Sequence, residues 1–173
     1  MLRSKDNLYQ EIVKFIEDAD DLIIFSPYIT FDALQYLLSF ASNNAQSNTC
    51  VITTWKPRDV AFGSSDLNVY QLSKTFNFPL YINNNIHLKV IAKNNLSSCI
   101  VSSANITGRG IGGSHLEDDA FLNNEMGEIV SELPIEDQVY LENIMTSPDA
   151  FIVTDEYYEK IKEESEGIEV KKD

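Results

Sequence analysis

Apolar positions recur along this chain in two rhythms, one near every third or fourth residue and one near every second. Leu8, Ile12, Phe15, Ile16 and Ala19 follow the first rhythm and predict a helix over residues 6–19. Asp21 to Ser26 is a short, almost continuous apolar run, a buried strand closed by Pro27. Leu34, Leu37, Leu38 and Ala41 return to helical spacing, so Phe31–Ala41 reads as a helix with Thr30 as its cap. Thr49–Thr54 reads as a strand, and Ser64–Phe76 as a helix carrying Leu67, Tyr70, Gln71 and Lys74 at that spacing. Leu80–Ile82, Ile86–Lys93 and Ser98–Ser103 then read as strands, the last two joined by a turn at Asn94-Asn95. A strand around Glu125–Val130 and helices over Ile135–Met145 and Asp155–Glu166 complete the chain.

Strand, helix, strand, helix and then a hairpin predict an α/β domain with a mixed, mostly parallel sheet flanked by helices. Pro134 and Pro148 interrupt the C-terminal part without a linker long enough for a second domain. The expected division is one domain over residues 1–153 and an acidic C-terminal helix and tail over 154–173. There is no internal repeat.

At 173 residues the chain fits one domain with a sizeable core, and 43% hydrophobic and 23% charged residues are ordinary for a globular protein. No apolar run approaches the roughly 20 residues of a membrane span. Met1 to Asp6 leads into an amphipathic pattern, unlike the apolar centre of a signal peptide, so a cytoplasmic location is expected. In that compartment Cys50 and Cys99, each in an apolar run, read as buried free thiols.

The net charge of −14 argues against a polyanionic partner until its distribution is considered. Residues 1–116 carry nine acids and nine bases; residues 117–173 carry eighteen acids and four bases. A neutral body with Lys56, Arg58, Lys89, Lys93 and Arg109 around a pocket can still present a local positive field. The acidic region reads as solvated helix faces and a frayed tail. A sharper reading is that it repels nucleic acid from part of the surface or docks a basic partner.

The chemistry concentrates in Ile86-His87-Leu88-Lys89 and Ser102-Ser103-Ala104-Asn105. Alternation along a strand sets residues i and i+2 on one face, so His87 and Lys89 project side by side. If the two runs pair as neighbours, Ser103 and Asn105 reach the same place. Breaking a P–O bond needs an attacking group, a proton for the leaving oxygen, and donors around the non-bridging oxygens. Histidine suits both end roles, since it titrates near neutrality and forms covalent phospho-intermediates. Lysine and asparagine suit the oxygens. His87 and His115 are the two histidines of the chain, so a two-histidine mechanism uses that pair or His87 from each of two chains.

This ordered set resembles the H-x-K…G-S-x-N motif of the phospholipase D-like superfamily, in particular its single-motif bacterial nucleases. Flanking segments extend the resemblance over about residues 6 to 130: Thr54-Trp55-Lys56-Pro57-Arg58-Asp59 with Gly63-Ser64-Ser65-Asp66, then Asn105-Ile106-Thr107-Gly108-Arg109-Gly110, then Asn123-Asn124-Glu125-Met126-Gly127. The resemblance implies a phospholipase D-like fold and metal-independent cleavage of nucleic-acid phosphodiesters, DNA foremost, through a covalent phosphohistidine. It implies no cofactor. It also implies a homodimer in which two H-x-K sets face each other, with His87 as nucleophile and its symmetry mate as general acid. Lys89 and Asn105 would bind phosphate, Ser103 would support them, and Glu125 would orient the imidazole. Arg58, Arg109 and Trp55 flank these motifs and are candidates for substrate contact. Larger members of the superfamily carry the motif twice; this chain carries it once. Two positions depart from the pattern: Asn94 stands where aspartate is usual and Ser102 where glycine is usual. Phage defence is the setting the family suggests.

Other signals read more plainly. Gly108-Arg109-Gly110-Ile111-Gly112-Gly113 matches G-x-G-x-x-G, but no apolar helix follows as a dinucleotide site requires. Asp66 reads as a helix-start or scaffold residue rather than a catalytic acid, and Trp55 as core or a pocket wall rather than a base-stacking surface. No H-x-x-x-H or C-x-x-C spacing offers a metal site. With no recognition module in the chain, a separate targeting or motor subunit is an expected partner. The rival readings are a lipid phosphodiesterase or phosphatidyl transferase, which the net charge disfavours at anionic membranes, and a catalytically weak subunit acting in assembly of a larger complex.

Overall fold

The computed structural model describes residues 1–4, 6–112 and 122–170. In chain order the elements are β1 (Leu2–Arg3), α1 (Leu8–Glu17), β2 (Leu22–Phe25), α2 (Phe31–Leu38), α3 (Asn43–Ser47), β3 (Thr49–Thr53), α4 (Pro57–Ala61) and α5 (Val69–Phe76). There follow β4 (Leu80–Ile82), β5 (Val90–Lys93), β6 (Ser98–Ser102), α6 (Gly108–Ile111), β7 (Met126–Val130), α7 (Ile135–Thr146), β8 (Phe151–Ile152) and α8 (Asp155–Glu166). Among the described residues the strands form one sheet in the order β1-β7-β6-β5-β2-β3-β4-β8.

The expected mixed α/β sheet is present, but its parallel share is smaller than the sequence suggested. Parallel pairing is confined to β2–β3 and β3–β4, while β1–β7, β2–β5, β4–β8, β5–β6 and β6–β7 are antiparallel. The reason lies in the connections. Helices between β2, β3 and β4 carry the chain back across the sheet, whereas the turn over residues 94–97 reverses it in place. That turn closes through Ser97 N–H to Asn94 O at 3.2 Å. Asn94, Asn95 and Leu96 have φ of 54°, 53° and 68°. Asparagine tolerates this region; Leu96 is held there because its side chain is buried, 6% exposed, among Phe25, Val90 and Cys99.

Two apolar layers flank the sheet. The larger joins Leu8, Ile12 and Ile16 of α1, Leu34, Leu37 and Leu38 of α2, and Val69 and Leu72 of α5 to Ile24, Val51, Ile91 and Ile100. The smaller, on the opposite face, is covered by α7 through Leu141, with Ile144 and Met145 beside it. α8 is docked on the body: Trp55 stacks parallel to Tyr157 at 6.3 Å, and Lys74 Nζ and Tyr70 Oη both donate to Asp155, at 2.6 and 3.0 Å. Both cysteines are free, and burial pushes the Cys50 thiol up to about 12.

Several element ends differ from expectation. The helix expected over Ser64–Phe76 begins at Val69, because the Ser64 and Ser65 N–H groups bond Asp59 O and Asp66 Oδ1 takes the Asn68 N–H. Thr30 occupies the cap position of α2 without a side-chain bond; Asp66 Oδ2 instead accepts the Phe31 N–H at 3.1 Å. Asp66 therefore ties two helix starts together. The expected strand over Ile86–Lys93 pairs from Val90 onward, although Lys89 O still accepts the Ser102 N–H at 3.1 Å.

Trp55 is 1% exposed and is the largest fully buried side chain. Trp55→Ala should lower stability by about 3–5 kcal/mol, measurable as a shift of the urea unfolding midpoint with an unchanged slope.

Candidate functional site

Antiparallel and parallel pairings together gather the sequence candidates at one end of the sheet. β2 and β3 end there; β5, antiparallel to β2, begins there; β6 ends there; β7 begins there. His87 and Lys89 precede β5, Ser103 and Asn105 follow β6, and Glu125 precedes β7. Ligand sites in open α/β sheets form in such a place, outside the strand ends.

His87 is exposed and Lys89 half-buried. Lys89 Nζ lies 3.4 Å from His87 Nε2 and donates to His87 O at 2.9 Å. An ammonium can only donate, so it is the Nε2 lone pair that such a contact engages. The arrangement keeps a nucleophilic lone pair beside a fixed cation. The lysine stem lies over a cavity of about 10 Å³ walled by Phe25, Ile100, Ala104 and Ile106. Burial there lowers the Lys89 pKa from its ordinary 10.5, partly countered by the negative charge of Glu125.

Ser103 Oγ donates to Glu125 Oε2 and accepts the Met126 N–H at 3.2 Å, while Ser103 N–H bonds Met126 O at 2.9 Å. Glu125 was expected to orient the imidazole; among the described residues its carboxylate instead bonds Ser103, and Lys89 is the hydrogen-bonding neighbour of the ring. Glu125 is placed from behind by Ser4, whose Oγ accepts the Glu125 N–H at 3.1 Å and donates to Asn123 O at 2.8 Å. Ser4 was not legible as part of the site, since β1 is two residues long and pairs with a strand more than a hundred positions away.

Asn105 is half-buried, and its Oδ1 is buried without a partner among the described residues. Its backbone is fixed by neighbours. The adjacent Ile106 N–H donates to Ser26 Oγ at 3.1 Å, and Ile106 O accepts the Thr30 N–H at 3.0 Å. Gly110 of α6 presses on it from the other side: a Cβ there would lie 2.2 Å from Asn105 O. The glycine-rich segment thus serves close packing onto Asn105. Arg109 is exposed on α6.

The two departures from the family pattern have local explanations. Asn94 lies in the hairpin turn. Ser102 pairs with Gly127, where a Cβ would come within 2.8 Å of the serine Cβ, and its Oγ accepts the Ala104 N–H at 3.2 Å. The serine's extra atoms are taken up by the strand opposite and by its own backbone.

Other candidates sit apart. Trp55, covered by Tyr157 and Tyr158, has almost no exposed surface; its backbone N–H donates to Asn84 Oδ1 at 2.9 Å. Arg58 is exposed on α4, with its guanidinium 5.5 Å from the Phe62 ring. Lys93, expected near the pocket, lies at the other end of β5, where it bonds Phe15 O at 3.0 Å and Asp18 at 2.5 Å. It caps α1 there. His115 lies outside the described residues. Among the described residues no cluster of three His, Cys, Asp or Glu side chains has metal-binding geometry, and no helix is long and apolar enough to cross a membrane.

The chain is a single mixed α/β domain with its candidate chemistry at one end of the sheet, and this fold is shared by solved structures. A phosphatidylserine synthase from Haemophilus influenzae matches over 95% of this chain and 42% of its own, with a TM-score of 0.64 and 15% identity. A yeast tyrosyl-DNA phosphodiesterase variant matches over 95% of this chain and 39% of its own, with a TM-score of 0.49 and 15% identity. This chain spans about two fifths of the length of each. No family model matches the sequence, and neither does any curated protein.

Proposed function

We propose that the chain is a phosphodiesterase of nucleic acid that works without a metal, as a homodimer, through a phosphohistidine. The observation that carries this reading is the contact of 3.4 Å between His87 Nε2 and Lys89 Nζ, at the sheet end shared by Ser103, Asn105 and Glu125. In the first step the Nε2 lone pair forms an N–P bond while the P–O bond to the leaving oxygen breaks. The partner subunit's His87 supplies the proton that oxygen takes. In the second step water attacks phosphorus, its proton passes to the partner subunit's His87, and the N–P bond breaks. Lys89 and the Asn105 amide hold the non-bridging oxygens as charge builds on them. Glu125 and Ser103 act as positioning residues, holding the start of β7 against the end of β6.

Unpaired cations at this end favour a polyanion. Among the described bases ahead of residue 113, Arg3, Lys14, Lys74 and Lys93 are ion-paired. Lys56, Arg58, Lys89 and Arg109 are not among the pairs, and all four follow or precede strands at the site end. Incubation with single- and double-stranded DNA and RNA in EDTA, beside phosphatidylglycerol vesicles, tests the reading. Cleavage of nucleic acid that survives chelation is expected. Turnover confined to the lipid, or cleavage that stops in EDTA, would overturn it.

The pH profile offers a second check. Because burial lowers the Lys89 pKa below 10.5, the charge that holds phosphate should be lost, and kcat/KM should fall, at a pH below that value. Lys89→Arg keeps its charge at all such pH values. That variant should be slower at neutral pH and should lack the part of the alkaline decline that Lys89 deprotonation causes, keeping the part that belongs to the general acid.

A further inference from the structure

α4 leaves the same sheet end as His87 and carries a surface feature that the catalytic reading leaves unused. Phe62, at its C-terminus, is 52% exposed, and the Arg58 guanidinium stands 5.5 Å from its ring centre. Lys56, just ahead of the helix, is also exposed, and neither cation is ion-paired among the described residues. The segment is fixed relative to His87. The Trp55 backbone N–H bonds Asn84 Oδ1 at 2.9 Å, and Asn84 lies three residues ahead of His87. β3 and β5 are separated by β2 alone, roughly 10 Å at the usual strand spacing.

We infer that Phe62, with Arg58 and Lys56, is a stacking platform for an unpaired base of a single-stranded nucleic acid whose backbone continues to His87. The inference rests on the nuclease reading and adds the substrate form. An exposed ring beside unpaired cations is how sequence-tolerant single-strand sites are built: the ring takes any base face and the cations follow the phosphates. A base inside a duplex has no free face to offer. On the other side, the cleft between residues 63–68 and α8 is lined by Asp66 and Glu166 together with Lys162, so it offers a polyanion no net positive charge to compete with α4.

The test is fluorescence anisotropy with a labelled oligothymidylate, a duplex of equal length and phosphatidylglycerol vesicles, using full-length protein carrying His87→Ala so that substrate is not consumed. Phe62→Ala in that background should weaken single-strand binding about tenfold and leave duplex binding unchanged, while Phe62→Tyr should restore it. Arg58→Gln should weaken binding and flatten its salt dependence. Tyr140→Ala, an aromatic 62% exposed on α7, serves as the control and should change nothing. Equal loss on single strand and duplex, or no loss on either, overturns the platform while leaving the nuclease reading intact. Failure of the parent protein to bind any nucleic acid, with or without binding to vesicles, overturns both.

Discussion

Replacing His87 with alanine should abolish phosphodiester cleavage, a loss on the order of 10⁴-fold or more, as removal of a nucleophile costs other enzymes. The side chain is exposed and its contact is with Lys89, so the folded state should keep its unfolding temperature. The loss should appear in kcat with little change in oligonucleotide affinity, because Lys89, Asn105 and the cations of α4 remain. Activity assays with circular dichroism melts on the same preparations check both halves. Retention of wild-type cleavage would remove His87 from the chemistry. A large fall in melting temperature would recast it as a structural residue.

Gly110→Ala should be the most damaging change that touches no reacting group. The added methyl would sit 2.2 Å from Asn105 O and 3.1 Å from Asn105 N, backbone atoms that cannot swing aside as a side chain can. Either α6 or the Ala104–Ile106 segment must shift. Overpacking of this kind costs about 3 kcal/mol at the upper end of its usual range. The shift falls on the residue assigned to phosphate, so activity should drop further than stability alone explains. Gly63→Ala is the matched comparison. At φ of 78° it meets nothing within 4 Å, so it should cost about 1 kcal/mol of backbone strain and leave activity in place. Denaturant titrations and initial rates for the two variants separate the effects.

The part of the site legible in the sequence is the part that depends on local periodicity. The hairpin turn sets the start of β5, which His87 and Lys89 precede, beside the end of β6, which Ser103 and Asn105 follow. Strand direction then followed for β5 and β6. What the sequence did not show depends on contacts between distant segments. The position of β5 next to β2 is one, because nothing local dictates which strand the hairpin joins. The cover over Trp55 is another: a core position was expected for it, but the Tyr157 and Tyr158 rings that close over it lie about a hundred residues further on. Ser4 bonds the remote Glu125 N–H and Asn123 O, and Asp66, expected at its own helix start, also bonds the remote Phe31 N–H; such links leave no pattern in their neighbours. Lys93 matched the pocket cations in type, but a strand of four residues put it at the opposite end of the sheet.

The most direct test is mass spectrometry of the wild-type protein, quenched and digested under alkaline conditions that preserve an N–P bond, after a single turnover with a short oligonucleotide in EDTA. A nucleotide adduct on the peptide containing His87, reaching one adduct per two chains and absent from His87→Ala, is the expected result. An adduct on another residue, no adduct during active cleavage, or a full adduct on every chain of a monomeric protein would contradict the shared-phosphorus mechanism.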